Sequence, residues 1–236
     1  MDNIDIVLNE KQKQDIIYSY KIAYDKASEI ETKIISQNKA GRAYGMNKHF
    51  DHYHVATSQL YFPKIVNYLN KMNKTFETGV ELACGTTTLF DYFKVNNTTL
   101  LELADKHFEF MKKKGHNCLQ GNIENIPLGD KVSDITVSCN ILNVNLSYNK
   151  AIDEIKRITK DDGIIIIVLP WEQSLPLLKF DMKSSPTGLT LRTFNDSNFK
   201  ERFEDKGLKL IEKQFIPAQS SPNTIQVMNL IFKKNL

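Results

Sequence analysis

Between Gly79 and Thr88 the chain reads Gly-Val-Glu-Leu-Ala-Cys-Gly-Thr-Thr-Thr, an apolar strand, a tight turn of small residues and a helix start. Such a turn lets a ligand approach the backbone closely and offers it helix N-terminal N–H groups. A dinucleotide would call for Gly-x-Gly-x-x-Gly, and only Gly85 stands here. Further candidates are Glu102 at the tip of a second apolar run, the segment Gly121–Leu128 with Asn122 and Ile123, the segment Ser138-Cys139-Asn140-Ile141, and Trp171, the sole tryptophan. The densest cluster of catalytic residue types is His49-Phe50-Asp51-His52-Tyr53-His54, with three of the five histidines. Histidine is a common metal ligand, but this spacing fits no closed zinc pattern, so no metal is expected. A surface helix start and a substrate-facing base at His52 or His54 are the readings left open. Cys84 has no evident base beside it and reads as a packed small residue rather than a nucleophile.

The elements that would position these residues follow from the hydrophobic period. Apolar residues recur at helical spacing over residues 10–37 and again over 55–72, with a Gly-containing polar stretch between them. From Thr78 onward short apolar runs alternate with helical segments. Strands are expected at Thr78–Ala83, Thr98–Leu103, Asn117–Gln120, Ser133–Cys139 and Gly163–Leu169, and helices at Thr87–Phe93, Asp105–Lys114 and Tyr148–Ile158. Such alternation implies crossover units and a parallel sheet. A helix capped by Asn195 or Asp196 and ending at Gly207 precedes two closing strands, Leu208–Phe215 and Ile225–Phe232. Their link is too short for a crossover helix, so they should run antiparallel to each other. The expected fold class is α/β: a doubly wound, Rossmann-like, seven-stranded sheet, mostly parallel with an antiparallel C-terminal strand. Residues 1–74 form an N-terminal helical lid and residues 75–236 the α/β domain.

Composition narrows the classes. Hydrophobic residues at 41% and charged residues at 25% are globular values. A net charge of +3, from 31 basic and 28 acidic residues, is too mild for a nucleic-acid footprint. Three cysteines without CxxC or metal spacing read as reduced thiols of a cytoplasmic protein. The first residues lack the basic start and apolar run of a signal peptide. No apolar run approaches the roughly 20 residues of a membrane span.

Taken in order, these segments resemble the class I S-adenosylmethionine (SAM)-dependent methyltransferases, in their small-molecule and ubiquinone-biosynthesis-like branch. The resemblance runs from about Phe50 to the C-terminus. The family's acidic residue and its Gly-x-Gly-x-Gly fall on Glu81, Ala83, Gly85 and Thr87, with two glycines substituted. Alanine is a mild change; threonine would tighten the loop if the backbone there needs positive φ. The resemblance makes Glu102 the acceptor of the two ribose hydroxyls and Asn122 the acceptor of the adenine amino group. Asp134 and the stretch 154–164 match two further family signatures.

The implied cofactor is SAM, held by Glu81, Ala83, Gly85, Thr86, Glu102, Leu103, Asn122, Ile123, Cys139 and Asn140. Asn140 and the Cys139 backbone line its methionine end. No proline or aromatic residue follows Asn140, against the nucleobase and glutamine N-methylating subclass. The family's N-terminal helices cover the active site, which would bring His52 and His54 near the chemistry and place Tyr24 and Tyr44, with Trp171, along the substrate. Tyr20 would share that lid, and Arg42 would pair with the SAM carboxylate. The implied reaction is in-line attack of an O, N or C nucleophile of a small molecule on the SAM methyl, by a monomer or homodimer. A methyltransferase acting on RNA or protein, and a degenerate non-catalytic SAM-fold partner protein, are the alternatives.

Overall fold

The computed structural model describes residues 9–12, 14–15, 17–18, 21–22, 25, 51–142, 147–171, 194, 196, 198–216 and 226–234, with backbone alone at 51–60, 170–171 and 226–227. The described residues form seven strands: β1 (Thr78–Leu82), β2 (Asn97–Glu102), β3 (Cys118–Gln120), β4 (Ser133–Cys139), β5 (Thr159–Trp171), β6 (Leu208–Ile216) and β7 (Gln226–Lys234). They form one sheet in the order β3-β2-β1-β4-β5-β7-β6. The neighbours β3, β2, β1, β4 and β5 are parallel. β7 runs antiparallel to both β5 and β6, because the short link from β6 to β7 allows only a hairpin. The fold is therefore the doubly wound, mostly parallel sheet with an antiparallel C-terminal strand that the alternation of elements predicts.

Helices cover both faces. α1 (Asp51–Lys71) packs Tyr61, Phe62, Ile65 and Leu69 against Ile135, Val137, Ile164, Ile166 and Val168. α3 (Tyr148–Ile158) packs Tyr148, Ala151, Ile152, Ile155 and Ile158 against Val80, Leu82, Ile165, Ile167 and Leu169. Both sets recur at helical spacing. Residues 164–169 of β5 alternate between the two clusters, which is why that run carries no polar residue. α2 (Asp105–Lys113) connects β2 to β3 and buries His107 and Met111.

Two expected helices differ. Thr87–Phe93 is not an α-helix; only a 3-10 turn, Leu89–Asp91, forms there, with Thr88 as its cap. Glu81 beneath it accepts the Leu89 N–H at 2.8 Å, which bends the turn onto the sheet. The Phe90 ring then fills the space a side chain at Gly79 would need, with Cζ 2.6 Å from an ideal Cβ there. The helix expected from Asp196 to Gly207 contains a π-helical turn, Lys200–Glu204. The Arg202 carbonyl accepts the Tyr148 hydroxyl at 2.5 Å. Phe203 stacks on Phe232 at 5.1 Å while also meeting Phe194 and Phe199, and the wider turn accommodates these contacts. β5 starts four residues earlier than expected, with a register shift between Ser133 and Ile135 of its partner. No helix among the described residues is long and apolar enough to cross a membrane.

Candidate functional site

The strand order reverses direction at β1 and β4, which lie side by side. Open α/β sheets bind ligands beyond the carboxyl ends of the strands at such a switch point. β1 stops at Leu82 because the next residue, Ala83, turns to φ 54°, and Gly85 follows at φ 61°. Thr87 is not among the residues with positive φ. The conformational demand thus falls on the alanine, in the left-handed region L-residues avoid, and not on the threonine. This corrects the expectation that Ala83 is the mild substitution.

Glu102, at the tip of β2, faces this turn and is 5% exposed. Its Oε2 accepts the Gly85 N–H at 2.9 Å, and its Oε1 accepts the N–H groups of Leu103 at 2.9 Å and Ala104 at 3.2 Å. The carboxylate therefore ties the β1 turn to the start of α2.

Glu81 lies beneath the turn, 1% exposed. Its Oε2 accepts the Thr88 hydroxyl at 2.5 Å as well as the Leu89 N–H, while Oε1 is buried with no partner among the described residues. Burial pushes this carboxyl up to about 8, with the Asp91 and Glu102 charges adding and the two donors opposing.

At the carboxyl end of β4, Asn140 has φ 54° and its N–H donates to the Val168 carbonyl at 2.8 Å. Both polar atoms of its amide are buried without a partner among the described residues, and so is the Ser138 hydroxyl. Buried polar groups are nearly always satisfied in folded proteins, so three such groups at one sheet end suit a ligand with polar edges. Cys139 is buried, and burial holds its thiol well above the usual range, as it does for Cys84. Neither is an activated nucleophile.

Asn122 follows β3, where the Gly121 N–H donates to the Glu102 carbonyl at 3.1 Å. Its Oδ1 accepts the Glu124 N–H at 3.0 Å and its carbonyl the Asn125 N–H at 3.0 Å, a side-chain-supported turn. α3 braces this loop: Glu154 accepts the Ile126 N–H, and Arg157 donates to the carbonyls of Ile126 and Leu128. Ile123 is buried beside Leu82 and Leu101. Thr86 is buried and Leu103 half-buried at the turn's rim.

The structure thus brings Glu81, Ala83, Gly85, Thr86, Glu102 and Leu103 together, with Asn122 and Ile123 on one flank and Cys139 and Asn140 on the other. His52 and His54 lie in the first turn of α1, with side chains outside the described residues, and Trp171 ends β5 likewise. Tyr20, Tyr24, Arg42 and Tyr44 fall outside the described residues. The sequence reading gives Thr88 and Ser138 no role of their own within their segments; a threonine directly before the Leu89–Asp91 turn is the capping signal that marks the first. Among the described residues no group of three His, Cys, Asp or Glu gathers to hold a metal ion.

Residues 80–167 match the family model described as "Methyltransferase domain". That stretch holds every residue from Glu81 to Asn140 named above. Over 148 residues the chain is 28% identical to an uncharacterized protein of Methanocaldococcus jannaschii, across 60% of this chain and 64% of that protein. The match therefore spans less than two thirds of that curated relative. Among solved structures, the 1,6-didemethyltoxoflavin-N1-methyltransferase of Burkholderia thailandensis, with bound 1,6-didemethyltoxoflavin and S-adenosylhomocysteine, is similar with a TM-score of 0.63 at 11% identity, over 98% of this chain and 92% of that one. A SAM-dependent methyltransferase of Clostridium acetobutylicum is similar with a TM-score of 0.58 at 12% identity, over 78% of this chain and 96% of that one. The chain has the SAM-dependent methyltransferase fold.

Proposed function

We propose that this chain binds SAM and transfers its methyl group to an O, N or C nucleophile of a small molecule. The observation that carries the reading is the pairing of a left-handed, small-residue turn with the buried Glu102 carboxylate across the switch point, joined through the Gly85 N–H at 2.9 Å. The methyltransferase-domain match covers this turn, and the similar Burkholderia thailandensis enzyme holds S-adenosylhomocysteine.

The unpartnered amide of Asn140 and hydroxyl of Ser138 fit a polar group lying across the sheet end. In this reading Glu102 takes the ribose hydroxyls, the backbone of residues 83–86 lies along the nucleoside, and Asn140 meets the amino-acid end. Bound there, SAM supplies a methyl group already activated by its sulfonium. What the chain then adds is alignment and exclusion of water, a contribution of about 7–11 kcal/mol when the geometry is right. A base at His52 or His54 would add about 10²–10⁴-fold. A non-catalytic partner protein is the second reading, favoured by Asn122, whose acceptor oxygen is already engaged by the Glu124 N–H.

Calorimetric titration with S-adenosylhomocysteine separates these. The wild type should bind, and Glu102→Ala should weaken binding by roughly 1.5–3 kcal/mol, the scale of hydrogen bonds to a charged group, while keeping a cooperative melt. Equal affinity in the variant would remove the ribose assignment, and absence of binding to the wild type would remove the cofactor.

A further inference from the structure

Lys21 and Asp25 lie in helical backbone four residues apart, hence on one face. Both reach the start of α2. Lys21 Nζ is 2.8 Å from Asp105 Oδ1, and Asp25 Oδ1 accepts the Lys106 N–H at 2.9 Å. α2 has no cap of its own, because Ala104 occupies the N-cap and offers no side-chain acceptor. Asp25 supplies from a distant part of the sequence the acceptor that a Ser or Asp at the cap would provide. Asp105 also accepts from Gln120 at the end of β3, so the dock joins three elements.

The same few residues are tied to Glu102, whose carboxylate already accepts three backbone N–H groups, from Gly85, Leu103 and Ala104. A carboxylate has about four lone-pair sites. A vicinal diol brings two more O–H donors, so five donors would compete for about four sites, and a backbone bond must yield. The Ala104 bond, at 3.2 Å, is the longest of the three. Once it opens, the start of α2 loses one of its backbone anchors, and the Asp25 cap on Lys106 is one that remains.

We propose that Lys21 and Asp25 form a latch: the helical segment that carries them, docked on α2, holds residues 103–106 while Glu102 turns to the nucleoside diol. Docking of this helix and binding of the adenosyl group therefore favour each other. Asp25 is a positioning residue and touches no reacting atom. The proposal rests on the cofactor reading above and adds to it the coupling between lid and nucleoside.

The test uses the full chain and S-adenosylhomocysteine, with Asp25→Ala, Asp25→Asn and Lys21→Ala. Asp25→Ala should weaken binding about five- to tenfold, the scale of a lost cap. Asp25→Asn should stay within about twofold, since asparagine caps as well as aspartate. Lys21→Ala should cost about twofold, because exposed ion pairs contribute little. Reciprocity requires that the ligand slow amide exchange in residues 14–25 of the wild type and not of Asp25→Ala. Should Asp25→Ala fail to fold, the exchange response of the wild type and the affinities of the other two variants decide. If Asp25→Ala binds as the wild type does, with the same exchange response, the latch is overturned and the cofactor site stands. If the wild type does not bind, both fall.

Discussion

The two ends of strands β1 and β4 treat their polar groups in opposite ways. At the amino end, Asp134 is saturated: its Oδ2 accepts the N–H groups of Glu77 and Thr78 and the Thr78 hydroxyl, and its Oδ1 accepts Lys160 Nζ at 2.8 Å. Burial works against the charge, but Lys160 and the Thr78 donors outweigh it and hold this carboxyl at about 2. At the carboxyl end, Glu81, Ser138 and Asn140 keep buried polar atoms without partners among the described residues, and burial lifts Glu81 to about 8. Saturated carboxylates stabilise a fold, whereas open buried groups cost free energy unless something else completes them. One end of the strands is therefore built as a joint, and the other keeps open buried groups, which in the proposed reading the cofactor would complete.

The largest effect should come from breaking the joint. Asp134→Ala leaves two backbone N–H groups, a hydroxyl and an ammonium without their shared acceptor, so unfolding in urea should show a loss of roughly 3–4 kcal/mol. Affinity for S-adenosylhomocysteine, measured where the variant is still folded, should change little. A loss of affinity larger than the loss of stability would erase the division of labour between the two ends.

A second test reads the strained carboxyl directly. Unfolded, Glu81 titrates near 4.5; folded, it titrates near 8. Between those values the folded protein keeps a proton that the unfolded chain has released. Stability therefore falls as pH rises from about 4.5 to about 8 and levels off above. Glu81→Gln is neutral throughout and keeps an acceptor for Thr88 and Leu89. From about pH 5 to pH 8 the wild type should lose on the order of 3 kcal/mol more than this variant. Asp134, whose carboxyl is lowered, adds nothing in that window; its contribution is lost only as pH falls from about 4 to about 2. Parallel pH profiles for wild type and Glu81→Gln would mean that Glu81 titrates as an ordinary carboxyl and that the carboxyl end carries no such strain.

How much of this was legible in the sequence depends on the range of the interaction. The five parallel strands could be read because each is a short run at crossover spacing, and residues 164–169 of β5 carry no polar residue because both faces of that run are covered. Glu102 could be picked out because it closes an apolar run, but its bonds to the N–H groups of Gly85, Leu103 and Ala104 could not be read from the residue type. The turn after β1 was legible in type but not in detail: the residue types alone do not say which of Ala83, Gly85 and Thr87 takes positive φ, and the backbone places it at Ala83 and Gly85. The 3-10 turn depends on Glu81 reaching Leu89, and the α2 cap depends on Asp25 reaching Lys106. Neither contact has a local pattern, since the partners meet only after the sheet has formed. Asn122 carries both a turn-forming and a ligand-accepting chemistry in one side chain, and the residue type alone does not separate them.

The smallest expected effect is also the sharpest test of what the open end is for. Asn140 holds φ 54° with a side-chain amide that bonds to none of the described residues. Asn140→Gly keeps the left-handed turn at no steric cost and removes two buried unsatisfied atoms, each of which costs about 1–3 kcal/mol. Against that stand the lost packing and the greater entropy of an unfolded glycine. The balance should be a gain of about 1 kcal/mol in chemical denaturation, together with weaker binding of S-adenosylhomocysteine. A variant that is more stable but binds worse is what a group retained for a ligand produces. If Asn140→Gly instead destabilises the fold by more than about 2 kcal/mol and leaves affinity intact, the amide is a structural member. The carboxyl end would then be a joint like the amino end.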